Sequence, residues 1–294
     1  MNKSNLTGIV PILLTPFDDN DNIDKNSLCS EIDYCIDSGV NGLGIALGSE
    51  IFKLNEKERY EILKIVLDHT NNQIPIIINT SSFSTKMTIE NTKQAKSQGA
   101  YAVMIMPQFF MPLGQDEILE YYNDILKEVN IPTILQDIPQ SPITTHNAEK
   151  IFKENANAKY IKVESLPTVP KIKSMSERFK NDINIFGGAG GNYFLEELKR
   201  GACGTMPFAS QSKEFIDVYN KYKSDKIKEA HISFNKKIAP INRLSSTDGD
   251  KFFYMHKQIL VKKGIIKNSF VRKPTVKINN FDKNEIDQFI EDIL

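Results

Sequence analysis

The feature that most constrains the fold of this chain is a short apolar run, rich in β-branched residues, that recurs eight times and alternates with helical stretches. Runs of this length and composition are typical of strands that are buried on both faces, as in a parallel sheet. The predicted strands cover residues 8–14, 42–47, 74–79, 102–106, 133–137, 160–163, 184–186 and 204–208.

Amphipathic helical patterns separate these strands, and several end at a glycine just past the last periodic residue. Clear examples cover residues 27–38, 56–68, 86–98, 117–129, 146–154 and 193–200. Eight successive strand–helix units predict an α/β protein of the closed (β/α)8 TIM barrel type, and 294 residues suit one such barrel. A doubly wound sheet is disfavoured because the first strand runs into Thr15-Pro16-Phe17 and not into a glycine-rich turn.

After residue 208 the pattern is wholly helical, which predicts a barrel over residues 1–224 and a C-terminal helical segment over 225–294.

The 37 basic and 37 acidic residues balance, so charge suggests neither a nucleic-acid nor a membrane partner. Residues 1–5 lack an apolar leader, which makes a cytoplasmic protein the expectation. Three cysteines and four scattered histidines lack the spacing of a disulfide framework or a metal site, so no metal is expected.

Lys162 stands in the middle of the sixth predicted strand, where side chains alternate between two faces. A lysine on the inner face of a buried strand is unfavourable unless its charge is neutralised or its amine is used. One interpretation is a lysine that forms a Schiff base with a carbonyl substrate. The other is a strand-end lysine that reaches solvent or pairs with Glu164.

In a barrel of this type the chemistry lies where strands end and loops begin. A 2-oxo acid substrate has a carboxylate that the backbone N–H groups of Gly48 and Ser49, with the Ser49 hydroxyl, would bind; the alternative is a simple turn. Glu164 is interpreted as a structural carboxylate or as a catalytic base. The full predicted substrate-binding set is Thr15, Gly48, Ser49, Glu164, Gly188 and Met206.

The glycine-rich stretch 187–191 after strand seven allows a second hypothesis. Backbone amides after strands seven and eight of such barrels often bind phosphate, which would indicate a phosphosugar substrate. A glycine run also lets a loop pass close to a substrate or to a neighbouring strand without any phosphate. Since no basic residue accompanies the turn, phosphate binding is the weaker alternative.

The chain resembles the dihydrodipicolinate synthase / N-acetylneuraminate lyase family along its whole length. The resemblance is carried by 8–17 (GIVPILLTPF), 42–54 with 55–59 (NEKER), 131–135 (IPTIL), Ile161-Lys162, 200–204 (RGACG) and the C-terminal helices. It implies that Lys162 forms an imine with pyruvate or another 2-oxo acid, without a metal or organic cofactor. It also implies a homo-oligomer, a tetramer or a dimer.

The sequence departs from this family's pattern where substrate is selected. Gln136 stands where the family has a proton-relaying tyrosine, and residues 108–111 (QFFM) replace a tyrosine pair after strand four. An amide donates a hydrogen bond but has no suitable pKa for proton transfer. Gln136 would therefore orient the substrate or a water, with proton transfer left to water, Glu164 or the substrate's carboxylate.

The leading hypothesis is a Schiff-base lyase or aldolase with Lys162 and Gln136 as catalytic residues; the alternative is a family member that binds a 2-oxo acid without turnover.

Overall fold

The structure, a computed structural model, describes residues 6–180, 182–246 and 249–293. Its strands are short and fully parallel where they pair, in the order β1-β8-β7-β6-β5-β4-β3-β2. They are β1 (Gly8–Ile9), β2 (Leu43–Ile45), β3 (Ile76–Asn79), β4 (Ala102–Ile105), β5 (Thr133–Asp137), β6 (Ala158–Val163), β7 (Asn184–Gly187) and β8 (Gly204–Thr205). This order is the sequential one of a barrel, so the predicted (β/α)8 class is confirmed.

The helices alternate with the strands as far as β8 and then follow one another. They are α1 (Lys25–Asp37), α2 (Glu56–Thr70), α3 (Thr85–Gln98), α4 (Gln115–Glu128), α5 (Thr145–Glu154), α6 (Thr168–Phe179), α7 (Phe194–Leu198), α8 (Ser212–Lys223), α9 (Ile227–Lys237), α10 (Ala239–Ser245), α11 (Lys251–Lys262) and α12 (Asn280–Ile293). The predicted C-terminal helical region is therefore present. Residues 1–5, on which the cytoplasmic expectation depended, lie outside the described residues.

Local sequence explains most of these boundaries. Asn55 begins α2 with a capping box, since its side chain accepts from the Glu58 amide while Glu58 accepts from the Asn55 amide. The eight predicted strand–helix units imply a helix after the sixth strand, but its range was not among the clear helical patterns; it is α6, which carries Pro170 at its third residue. A proline there is tolerated because the first-turn N–H groups have no partner inside the helix.

By packing, the described residues fall into two compact units. The first holds residues 6–10, Asn41–Gly44 and Asn72–Met206, and it contains nearly the whole sheet with α3–α7. The second holds Pro11–Val40, Ile45–Asn71 and residues 207–293, and it contains the other helices. The boundary at residue 224 that the sequence suggested stays a prediction.

Asn41 joins the two outer strands of the sheet inside the first unit. Its backbone N–H donates to the Ile9 carbonyl and its Oδ1 accepts from the Ile9 N–H, both at 2.8 Å. Gly8 has a φ of +86°, and a Cβ there would lie 2.0 Å from the Asn41 Oδ1. Glycine is therefore required at the point where β1 meets the residue that precedes β2.

Two apolar clusters form the core of the second unit. One contains Leu14, Phe253, Leu260, Ile266 and Val271. The other lies between α10, α11 and α12. Across the helices of the described ranges, none combines the length and the apolarity needed to cross a bilayer.

Candidate active site

Lys162 lies on β6 in the interior of the first unit. It pairs in register with Gln136 of β5 on one side and with Phe186 of β7 on the other. Only 5% of the residue is exposed. The alternative in which this lysine reaches solvent is therefore wrong, and its amine must be neutralised by a partner inside the protein.

Glu164 supplies that partner. Its Oε1 lies 3.0 Å from the Lys162 Nζ and also accepts the Ala189 N–H at 3.3 Å. The predicted pairing of the two side chains is confirmed. The Glu164 side chain keeps 17% of its surface exposed against 6% for Lys162, so the carboxylate is the member of the pair that is open to solvent.

Gln136 is fully buried and contacts Glu164 from the neighbouring strand. Its Nε2 donates to the Glu164 Oε2 at 2.6 Å, and its Oε1 accepts from the Asn79 Nδ2 at 3.0 Å. Lys162, Glu164 and Gln136 are thus brought together as a connected polar group in the first unit. Asn79 belongs to this group as well, at the carboxyl end of β3, although its sequence context gave it no predicted role.

The glycines after β7 make room for two carboxylates. A Cβ on Gly187 would lie 1.9 Å from the Glu197 Oε2, and a Cβ on Gly188 would lie 2.2 Å from the Glu164 Cγ. The amide of Ala189 in the same turn already donates to Glu164. Because two acidic side chains crowd this turn, the geometry disfavours the phosphate-binding hypothesis.

The other predicted substrate contact of the first unit is Met206, which is buried after β8. Its N–H donates to the Gly187 carbonyl at 3.3 Å, so it lies beside the turn that carries Glu164. Gly188 is likewise buried and packs on the Glu164 side chain. Direct substrate contact by Met206 and Gly188 stays a prediction.

The predicted carboxylate-binding residues lie in the second unit, where Leu47–Ser49 forms a turn of 3-10 helix. The Ser49 N–H donates to the Ala46 carbonyl at 2.8 Å, and the Ser49 hydroxyl donates to the Leu13 carbonyl. The Thr15 hydroxyl donates to the Ser49 carbonyl at 2.6 Å. Both Ser49 donors are thus used to close the loop, and a carboxylate-binding role for Gly48 and Ser49 stays a prediction.

The residue that follows this turn, Glu50, anchors it through a buried ion pair. Glu50 and Lys257 are both fully buried, and the Lys257 Nζ contacts the Glu50 Oε1. The Lys257 Nζ also donates to the Phe270 carbonyl at 2.7 Å and lies 4.6 Å from the centre of the Phe17 ring. The sequence patterns missed this pair because its members are 207 residues apart.

The family model of the dihydrodipicolinate synthetase family matches residues 5–293. This chain belongs to that family. The predicted family membership is therefore confirmed, and it covers nearly the whole chain.

Proteins that are similar to this chain carry different enzyme names. A 4-hydroxy-tetrahydrodipicolinate synthase of Oenococcus oeni is 28% identical over 228 residues, covering 76% of this chain and 78% of its own. An L-2-keto-3-deoxyarabonate dehydratase of Azospirillum brasilense is 23% identical over 286 residues, covering 95% and 92%. The solved structure of YagE, a family protein of E. coli K12 in complex with pyruvate, is 19% identical over 98% of each chain with a TM-score of 0.90.

Glu197 on α7 is a buried acid of this family member that the sequence patterns missed. Its Oε1 accepts from the Thr168 hydroxyl at 2.6 Å, and its Oε2 has no hydrogen-bond partner among the described residues. Burial raises the pKa of Glu197 to about 7; the Thr168 hydrogen bond opposes the shift, while the charges of Glu196 and Glu164 add to it. The sequence signal that could have indicated its burial is its position three residues after Phe194, which is buried on the same helix.

This buried acid predicts a pH-dependent stability. The ordinary pKa is 4.5, so between that pH and about 7 the unfolded chain releases a proton that the folded chain retains. The free energy of unfolding therefore falls as pH rises through this window, by roughly 3 kcal/mol, and levels above it. Glu197→Gln removes this dependence and is expected to gain stability relative to the parent between about pH 5 and about pH 8.

The measurement is urea unfolding of both proteins at the two pH values. Glu120→Gln, at an exposed position on α4, is the matched control and is expected to follow the parent. Equal pH dependence in the parent and Glu197→Gln would show that Glu197 ionises normally in the folded protein.

Proposed function

We propose that this chain is a lyase of the class I aldolase type, which forms a Schiff base between Lys162 and the carbonyl carbon of a 2-oxo acid. The observation that carries the proposal is the buried Lys162 amine held 3.0 Å from a carboxylate that can take its proton. A neutral amine attacks a ketone, and the iminium that follows is an electron sink. A bond next to that carbon can then break or form.

The substrate class is supported by what the relatives are named for. YagE is described in complex with pyruvate, and the Azospirillum protein is named for a 2-keto-3-deoxy sugar acid. Both compounds have a ketone next to a carboxylate. The alternative of a binding protein without turnover is not favoured, because the relatives are named as enzymes.

Borohydride trapping tests the proposal. The protein is incubated with pyruvate or other 2-oxo acids, reduced with borohydride and measured as intact mass. The expected product gains the mass of the keto acid less one oxygen. Lactate, which has no ketone, is the matched control and should give no gain. Failure of every 2-oxo acid to form an adduct would contradict the proposal.

We also propose that the protein is a homo-oligomer, with a second copy bound at an aromatic patch of the first unit. This patch consists of Phe83, Met87, Phe109, Phe110 and Met111, all of them exposed. Phe110 is 75% and Met111 70% exposed, and the rings of Phe83 and Phe109 lie 6.3 Å apart. Exposed apolar clusters of this kind mark interaction surfaces.

Phe110→Asp is expected to lower the molar mass of the assembly, because a charge would have to be buried in the contact. Size-exclusion chromatography with light scattering measures that mass. Ile232→Asp changes another exposed apolar residue, on α9, and is expected to keep the parental mass. A parent protein that is monomeric, or a Phe110→Asp variant of unchanged mass, would contradict this surface.

A further inference from the structure

Three hydrogen bonds that all point the same way lead to Glu164. The Ser81 N–H donates to the Asn79 Oδ1 at 3.0 Å, and the Asn79 Nδ2 donates to the Gln136 Oε1 at 3.0 Å. The Gln136 Nε2 then donates to the Glu164 Oε2 at 2.6 Å. The orientation of a side-chain amide is normally ambiguous. Here a backbone N–H, which cannot act as an acceptor, fixes the direction of the whole chain.

The same contacts exclude Gln136 as a proton carrier. Both ends of its amide are engaged, and an amide neither gains nor loses a proton near neutral pH. Glu164 differs from Gln136 in its chemistry and in its access to solvent. It is ionisable, it contacts the Lys162 amine, and part of its surface reaches solvent.

We propose that Glu164 carries protons to and from the Lys162-bound substrate, and that Asn79, acting through Gln136, is a positioning residue for its carboxylate. This inference rests on the proposed Schiff-base function and deepens it. The Gln136 donor fixes Oε2, while Oε1 remains directed at the Lys162 amine. A carboxylate held at both oxygens keeps one geometry through successive proton transfers.

The steps balance with Glu164 as the sole acid and base. Its carboxylate takes a proton from the Lys162 ammonium, and the free amine adds to the ketone. The carboxyl group gives a proton to the ketone oxygen and takes one from the nitrogen, which yields the neutral carbinolamine. The carboxylic acid then gives its proton to the carbinolamine hydroxyl, which leaves as water and forms the iminium. The carboxylate then removes a proton from carbon 3, and the electron pair of that C–H bond forms the enamine. The carboxyl proton then exchanges with solvent. In deuterated water, reversal of the last step therefore places deuterium on carbon 3, which can be measured.

Two measurements on the full chain separate this inference from the proposed function. Borohydride trapping with pyruvate reports the imine, and NMR in deuterated water reports exchange of the pyruvate methyl protons. Glu164→Gln keeps the size of the side chain but cannot transfer protons. It is expected to keep the trapped adduct after long incubation while the exchange rate falls by about 10² to 10⁴.

The positioning role is tested with Asn79→Asp, which cannot donate to the Gln136 Oε1. The Gln136 side-chain amide is then expected to flip, so that its oxygen and not its nitrogen faces Glu164. Trapping should persist while exchange falls about tenfold, the effect of one lost hydrogen bond to a charged group. Asn155→Asp is the matched control, because Asn155 is also buried and also donates to a side-chain amide oxygen, that of Asn123, at 2.7 Å. It caps the C-terminus of α5 and is expected to keep the parental exchange rate.

Each outcome has one meaning. Exchange in Glu164→Gln within threefold of the parent would overturn the role of Glu164 and leave the Schiff-base function standing. Equal exchange rates in Asn79→Asp and Asn155→Asp would overturn the positioning role of Asn79. Absence of an adduct in the parent protein would overturn the proposed function, and this inference with it.

Discussion

Lys162→Ala is expected to abolish the borohydride adduct with every 2-oxo acid and to reduce any lyase activity to the background of the solution reaction. The reason is chemical, because among the described residues of the candidate site no other group is an amine that can condense with a ketone. The partly buried Glu164 keeps its donors from Gln136 and Ala189 in this variant. The protein should therefore still fold, which thermal unfolding would verify.

Lys159→Ala is the matched control for this variant. Lys159 lies on the same strand, β6, but its side chain is exposed. Its loss removes the same functional group without touching the candidate site, so the adduct and the activity should persist. Equal adduct yields in Lys162→Ala and the parent would show that the amine of Lys162 is not the reacting group.

Lys257→Met is expected to cause the largest loss of stability among the substitutions considered. The methionine fills similar space, but it leaves the Glu50 carboxylate buried, with the Lys53 amine 3.3 Å away as its ion-pair partner among the described residues. Burial lowers the pKa of Lys257, and the carboxylates of Glu50 and Glu31 oppose that shift. Removing one member of such a buried pair typically reduces the free energy of unfolding by about 3–5 kcal/mol.

Urea unfolding measures this loss. Lys64→Met removes a lysine from an exposed ion pair with Asp68 on α2, where the side chains are 70% and 65% exposed, and should have little effect. Replacing both partners, by Lys257→Met with Glu50→Gln, is expected to be less destabilising than the sum of the single changes. Additive effects would contradict the view that Glu50 and Lys257 stabilise the second unit as a pair.

The fold was predictable because its signal is local and repeated. Apolar runs of three to seven residues and amphipathic helices can each be recognised within one window of sequence. The errors lie where tertiary packing decides. Residues 8–14 were predicted as one strand, but β1 ends at Ile9, and residues beyond it form loops and one isolated bridge, from Ile12 to Phe208.

The candidate site was predictable only in part. Lys162, Glu164 and Gln136 come from two adjacent strands and point to the same end of the sheet, so their proximity follows from the parallel register. Asn79 and Glu197 were given no role from the sequence for the same reason. An asparagine at a strand end and a glutamate on a short helix look like ordinary surface residues until the fold buries them. Glu50 and Lys257 could not be matched by any local pattern.

The most direct test of the central claim is peptide mapping of the borohydride-reduced protein by mass spectrometry after incubation with pyruvate. The imine account predicts one modified peptide, the one that contains Lys162, carrying the mass of pyruvic acid less one oxygen. A reduced adduct on a different lysine, with the Lys162 peptide unmodified, would contradict it.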